Sequence, residues 1–128
     1  MGATREVVVG PNVPQPIGPY SAGVRVGDLL FVSGQGGVDP QTTELAGESF
    51  GEQARQAFQN VEAVLRAGGS SPELVANVTV SVADIASFGE FNELYAEFFP
   101  VDPPARMTMQ VPLPRGLLIS IGCVAAVA

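Results

Sequence analysis

The sequence predicts an α+β domain, a mixed β-sheet with two helices packed on one face. Two segments place apolar residues at helical spacing behind Ser-x-x-Glu signals, one at Ser49 and Glu52, the other at Ser87 and Glu90. Around them lie short β-rich runs bounded by Gly, Asp or Pro. The chain has 128 residues, enough for one sizeable core and too few for two, and no linker or charge block divides it. Residues 1–128 are therefore expected to form a single domain.

In order, residues 7–9 are a short apolar run, and a Pro/Gly-rich segment at 10–19 lies too near the N-terminus to separate domains. Runs 22–26 and 29–33 flank Gly27-Asp28, which signals a hairpin. Behind Ser49, the stripe Ala54, Ala57, Phe58, Val61, Val64 and Leu65 faces a core while Arg55, Gln56, Gln59, Glu62 and Arg66 face water; Gly68-Gly69 ends the helix. Ser71-Pro72 opens one further turn, and residues 75–82 alternate around Asn77, Thr79 and Ser81 as a half-buried strand. Behind Ser87 the stripe is Phe91, Leu94, Tyr95 and Phe98, stopped by Pro100. Residues 105–111 alternate weakly.

The last run, 117–128, is almost continuously apolar. One face holds Ile119, Ile121, Cys123, Ala125 and Val127, the other Leu118, Ser120, Gly122, Val124 and Ala126. A strand apolar on both sides needs cover on both sides. With helices over one face, burial of the other against another subunit is expected, giving a homo-oligomer.

The composition removes much of the usual chemistry. There is no histidine; Arg5, Arg25, Arg55, Arg66, Arg106 and Arg115 account for all basic residues, leaving no lysine. Schiff-base chemistry with pyridoxal phosphate, His-based triads and imidazole zinc sites are excluded. Cys123 stands alone, so neither an intramolecular disulfide nor a Cys cluster for metal exists. A formal charge of −7 argues against a grip on nucleic acid. The apolar runs are too short to span a bilayer, and MGATREVVVG carries an acid and a base where a signal peptide needs an apolar stretch. A soluble cytoplasmic protein with no metal or organic cofactor is expected.

Five segments in this order and spacing resemble the Rid family (YjgF-type reactive intermediate deaminases). They are Ile17-Gly18-Pro19-Tyr20-Ser21, Phe31-Val32-Ser33-Gly34-Gln35, Gln53-Ala54-Arg55-Gln56 with Asn60-Val61, Phe91-Asn92 with Tyr95 and Phe98-Phe99, and Pro104-Ala105-Arg106. The resemblance runs from about residue 15 to 126. It implies a chorismate-mutase-like fold, a homotrimer with clefts between subunits, and hydrolysis of 2-imino acids and their enamine tautomers to 2-keto acids and ammonia. It also implies that Arg106 binds the substrate carboxylate, a role for which a guanidinium fork is suited and a lysine is not. Tyr20 corresponds to a cleft-wall tyrosine, Ser33 to a site serine and Asn92 to a site asparagine. Each also has a plain structural reading, as an interface aromatic, a strand-end hydroxyl and a helix residue bridging loops.

The sequence departs from the family pattern in its last strand. Ser120 and Gly122 stand where the family usually carries glutamates, and Thr108 stands where a cysteine is usual. A serine without a partner is no base, so the role of the first glutamate does not transfer to it. Less negative charge near Arg106 favours an anionic ligand, and Gly122 enlarges a cleft; equally, both small residues suit close packing between subunits. The expected mechanism is capture of the carboxylate by Arg106 and attack on the imine by a water placed by backbone carbonyls, Thr108 or Ser120. Two other readings stay open: a member recruited to specialised metabolism that promotes cyclisation, dehydration or tautomerisation of an enol or enamine, and a non-catalytic binder of small molecules.

Overall fold

The computed structural model describes residues 4–128; Met1 to Ala3, which begin the MGATREVVVG segment, lie outside the described residues. Six strands and two helices follow in the order β1 (Arg5–Val7), β2 (Gly23–Val26), β3 (Leu29–Gln35), α1 (Phe50–Ala67), β4 (Val75–Val82), α2 (Phe88–Phe98), β5 (Ala105–Gln110) and β6 (Ile119–Ala126). Short 3-10 turns precede β4 at Pro72–Leu74 and α2 at Ile85–Ser87. The expected α+β architecture is present. The first strand is displaced, however: β1 covers Arg5–Val7, all exposed, and the chain leaves the sheet before Val9, which is 77% exposed.

One sheet has the strand order β1-β2-β3-β6-β4-β5. All pairings are antiparallel except β4 with β5, which α2 joins by crossing over the sheet. The last strand thus lies in the middle, with β3 on one side and β4 on the other. α1 lies across β3 and β6, and α2 lies beside α1. Between helices and sheet sit Leu30, Val61, Val64, Leu65, Val78, Val80, Val82, Phe91, Ile119 and Ile121, each at most 1% exposed.

The first helix starts as the sequence predicts. The Ser49 side chain accepts from the Glu52 amide, and the Glu52 carboxylate reaches back to the Ser49 N–H. The second capping box does not form. Ser87 has φ −79° and ψ 0° and caps nothing with its side chain; instead the Asp84 carboxylate accepts from the Ala86 N–H and starts the 3-10 turn that feeds α2. An aspartate three residues upstream takes the capping position, and Ser87 is absorbed into the turn.

The face of the sheet opposite the helices is open. There Phe31 pairs across from Val124 and Leu29 from Ala126, while Met107 lies beside Thr79 on β4. Leu29, Phe31 and Met107 are 46%, 44% and 64% exposed. Along β6, Ile119, Ile121, Cys123 and Ala125 are buried toward the helices, and Ser120, Gly122 and Val124 are half-buried on the open side. The two-sided apolar strand inferred from sequence is therefore covered on one side only by its own chain.

Candidate functional site

Between Val32 and Gln35 the β3–β6 register slips by one residue, so that Ser33 and Gly34 together oppose Gly122. A bulge of this kind re-aims side chains at the end of a strand. It turns the Ser33 hydroxyl back to donate to the Ser21 carbonyl at 2.5 Å, fixing the bend between residue 21 and the sheet. It also brings Gly34 against Ser120: a Cβ at Gly34 would lie 2.5 Å from the Ser120 Oγ. A Cβ at Gly122 would lie 3.1 Å from the Val32 carbonyl oxygen. Both glycines serve close approach of strand to strand.

A cavity of about 90 Å³ opens here, with Tyr20, Gly34, Asp39, Asn60, Leu117 and Ser120 among its walls. Of two buried amides on α1, Asn60 lines the cavity and Gln53 braces the loops beside it. Asn60 donates to the carbonyls of Gly36 and Val38 at 3.1 and 2.8 Å and accepts from Gln56. Gln53 donates to the carbonyls of Gly47 and Gly116 and accepts from the Leu118 N–H at 2.8 Å. Gln53 thereby ties the loop before α1 to the entry of β6, two residues from Ser120. Tyr20 is 45% exposed, and its hydroxyl accepts from the Ile17 N–H at 3.3 Å. The Asp39 carboxylate accepts from the Gln41 N–H at 2.8 Å, which occupies it in a turn.

A second group forms on the other face of the sheet. In the parallel β4–β5 ladder, Arg106 lies beside Val78 and Thr108 beside Val80, so both share the helix side with those buried valines. Arg106 sits beneath α2, its guanidinium carbon 5.5, 5.3 and 4.6 Å from the ring centroids of Phe88, Phe91 and Tyr95. Among the described residues the ion pairs are Arg55 with Glu97 and Arg66 with Glu62, and Arg106 has no carboxylate. The Tyr95 hydroxyl and the Thr108 Oγ1 are buried without a hydrogen-bond partner. Burial holds the Tyr95 phenol above its ordinary range against the opposing pull of the Arg106 charge. Asn92, half-buried, follows Phe91 on the same helix.

The six residues singled out from sequence thus divide. Arg106, Thr108 and Asn92 belong to the β5–α2 side, while Tyr20 and Ser120 belong to the cavity at β3 and β6, where Gly34, not Ser33, forms the wall. Within one chain Thr108 and Ser120 lie on opposite faces of the sheet and cannot hold the same water. The chemistry of each half is nonetheless defined: a cation with free N–H donors on one, a small hydroxyl-lined recess on the other. Sequence reasoning missed the roles of Gln53 and Asn60, although both fall on the buried face of α1; an amide at a core position is itself a signal, because it must find partners there.

Cys123 faces the helices, and burial pushes its thiol up to about 12. Because the folded-state value lies above the unfolded one, the thiol's contribution to stability is complete below about pH 9 and is lost as pH rises toward 12. At pH 8 the native protein is expected to resist an aromatic disulfide reagent, reacting with one equivalent only in denaturant; full reaction within seconds in native buffer would contradict the burial. Among the described residues no group of three or more His, Cys, Asp or Glu is placed to hold a metal ion, and no helix is long and apolar enough to cross a membrane.

Comparison with known proteins places this geometry in context. The family model described as Endoribonuclease L-PSP matches residues 10–127. A RutC family protein of Saccharolobus solfataricus is 45% identical over 122 residues, covering 94% of this chain and 97% of the relative. The 2-iminobutanoate/2-iminopropanoate deaminase of Mus musculus is 38% identical over 122 residues, covering 94% and 90%. Among solved structures, the YjgF gene product of E. coli superimposes with a TM-score of 0.89 at 34% identity, covering 94% of this chain and 98% of that one.

Proposed function

Because the chain belongs to the Rid family, the YjgF-type group matched by the endoribonuclease L-PSP model, we propose that it hydrolyses small 2-imino acids and their enamine tautomers to 2-keto acids and ammonia. The site is a cleft of a homotrimer, where the Arg106 side of one copy meets the Tyr20–Ser120 cavity of the next. The reaction is placed in the cytoplasm. The observation that carries this reading is that Arg106 has no ion-pair partner among the described residues, and its guanidinium fork suits a carboxylate. The exposed Leu29, Phe31 and Met107 on the open sheet face favour burial against a second copy. A neighbouring copy is also the economical way to bring the two half-sites together.

In the proposed reaction the carboxylate docks on Arg106 and a water oxygen bonds to the protonated imine carbon. The C=N π pair moves onto nitrogen. One proton passes from the added oxygen to nitrogen, the C–N bond breaks as the oxygen lone pair forms C=O, and the second oxygen proton goes to the departing ammonia, so the keto acid and ammonium leave. Protonated imines are already electrophilic, so the chain has to hold the substrate and direct one water, and no cofactor enters the balance. Ser120, contributed by the neighbouring copy, flanks that water; the Thr108 hydroxyl is buried within its own chain and does not reach it.

Mixing tests the arrangement. Arg106→Ala and the cavity-filling Ser120→Leu are each expected to be inactive toward enzymatically generated 2-aminoacrylate. Co-expressed and purified through two different tags, each mixed trimer holds one cleft of three with both halves intact, so about a third of wild-type activity is regained. Mixed assemblies as inactive as their parents would overturn a site shared between copies.

The absence of an acid at Ser120 and Gly122 favours a second reading, altered chemistry on a larger enol or enamine. It predicts keto-acid release no faster than with Arg106→Ala. Phosphodiester cleavage has little support here: the chain has no His or Lys and a charge of −7.

A further inference from the structure

We infer that the aromatic face of α2 is what makes Arg106 a carboxylate receptor, with Phe88 as its positioning residue. This inference rests on the reading of Arg106 as the carboxylate-binding group. Phe88, Phe91 and Tyr95 are spaced by three and four residues and so share one face of the helix. All three rings lie within the range at which a guanidinium is attracted to an aromatic quadrupole.

A half-buried arginine normally takes a carboxylate partner, and that partner then competes with any anionic ligand. Here no carboxylate among the described residues pairs with Arg106, and its own strand carries no acid. Ring faces attract the cation without engaging it as a carboxylate does, so the guanidinium is held in place with its fork unneutralised. The rings differ in what fixes them. Phe91 and Tyr95 are 0% and 6% exposed and pack on one another and on Phe58, so they are locked in the core. Phe88 is 38% exposed and closes the assembly from the solvent side. It is the member whose removal changes Arg106 without touching the core.

Six arginines and no lysine give a spectrum of six Nε–H signals. The Arg106 signal, identified by its loss in Arg106→Ala, is expected to lie upfield of the other five because of ring currents, and to move toward them in Phe88→Leu. Calorimetric affinity for 2-oxobutanoate is expected to fall about 3- to 10-fold in Phe88→Leu and to return in Phe88→Tyr. Ile85→Ala, which trims an exposed side chain in the turn before α2 and leaves all three rings in place, is expected to bind as wild type does. An Arg106 signal among the solvated arginines, an unchanged affinity in Phe88→Leu, or an equal loss in Ile85→Ala would each overturn the inference. These readouts need no turnover: upfield Arg106 and ring-dependent binding without ammonia release would sink the deaminase reading and leave the aromatic support standing.

Discussion

Arg106→Ala is expected to lower kcat/KM for 2-aminoacrylate about 100-fold or more, the loss of two charge-assisted hydrogen bonds to a carboxylate in a partly desolvated site. Three observations set that size. The guanidinium is held against three rings, so little ordering is left to the moment of binding. No carboxylate of the chain shares its donors among the described residues. And the stretch that follows holds no other cation near enough in sequence to substitute before Arg115, which is exposed and beyond the end of β5. Arg106→Lys keeps the charge and loses the planar fork, so it should recover only part of the loss. The measurement is keto-acid release coupled to a dehydratase that generates the substrate. Wild-type rates in Arg106→Ala would remove the residue from the reaction.

The largest effect on stability is expected at Gln53, which lies deep in the molecule and touches no proposed ligand. Its side chain is 1% exposed and serves three backbone groups drawn from two loops. Leucine fills nearly the same volume and offers no hydrogen bond. Gln53→Leu therefore leaves the Leu118 N–H and the carbonyls of Gly47 and Gly116 without their partner, at a cost of about 3 kcal/mol. The urea midpoint, measured at fixed protein concentration, reads this directly. Activity should fall as well, because Leu118 sets the start of β6 and so the position of Ser120. An unchanged midpoint would mean that those three groups are satisfied by water instead.

Most of the architecture was legible in the residues because its signals are local. Period-2 alternation marks 75–82, the Gly27-Asp28 pair marks the hairpin, and the helical stripe behind Ser49 marks α1 with its cap. The second cap failed because Ser-x-x-Glu does not say which nearby polar residue starts the turn; Asp84 competed and won. Residue types at the site were also legible, since a lone arginine in an uncharged run stands out. What could not be read was their partition. Strand alternation places Arg106 and Thr108 on one face and Ser120 on one face, but only pairing decides whether those faces coincide. Ser81 pairs with Ser120 on the open side, while its neighbours Val80 and Val82 look toward the helices with Thr108 and Arg106 on that same side. Register of this kind is a long-range property that no window of sequence contains.

The place of β6 in the sheet has a consequence for how the chain comes to be made. As it leaves the ribosome, the hairpin of β2 and β3 and the crossover from β4 through α2 to β5 can each form early, yet the two are not neighbours in the sheet. They are joined only when Ile119–Ala126, the final strand, slides between β3 and β4. Until then two sheet edges face one another unpaired, with Leu30, Val78 and Val80 open to solvent or to another nascent chain. Insertion of β6, rather than formation of either half, is the event that closes the molecule, and the interval before it is when this protein is most exposed to aggregation.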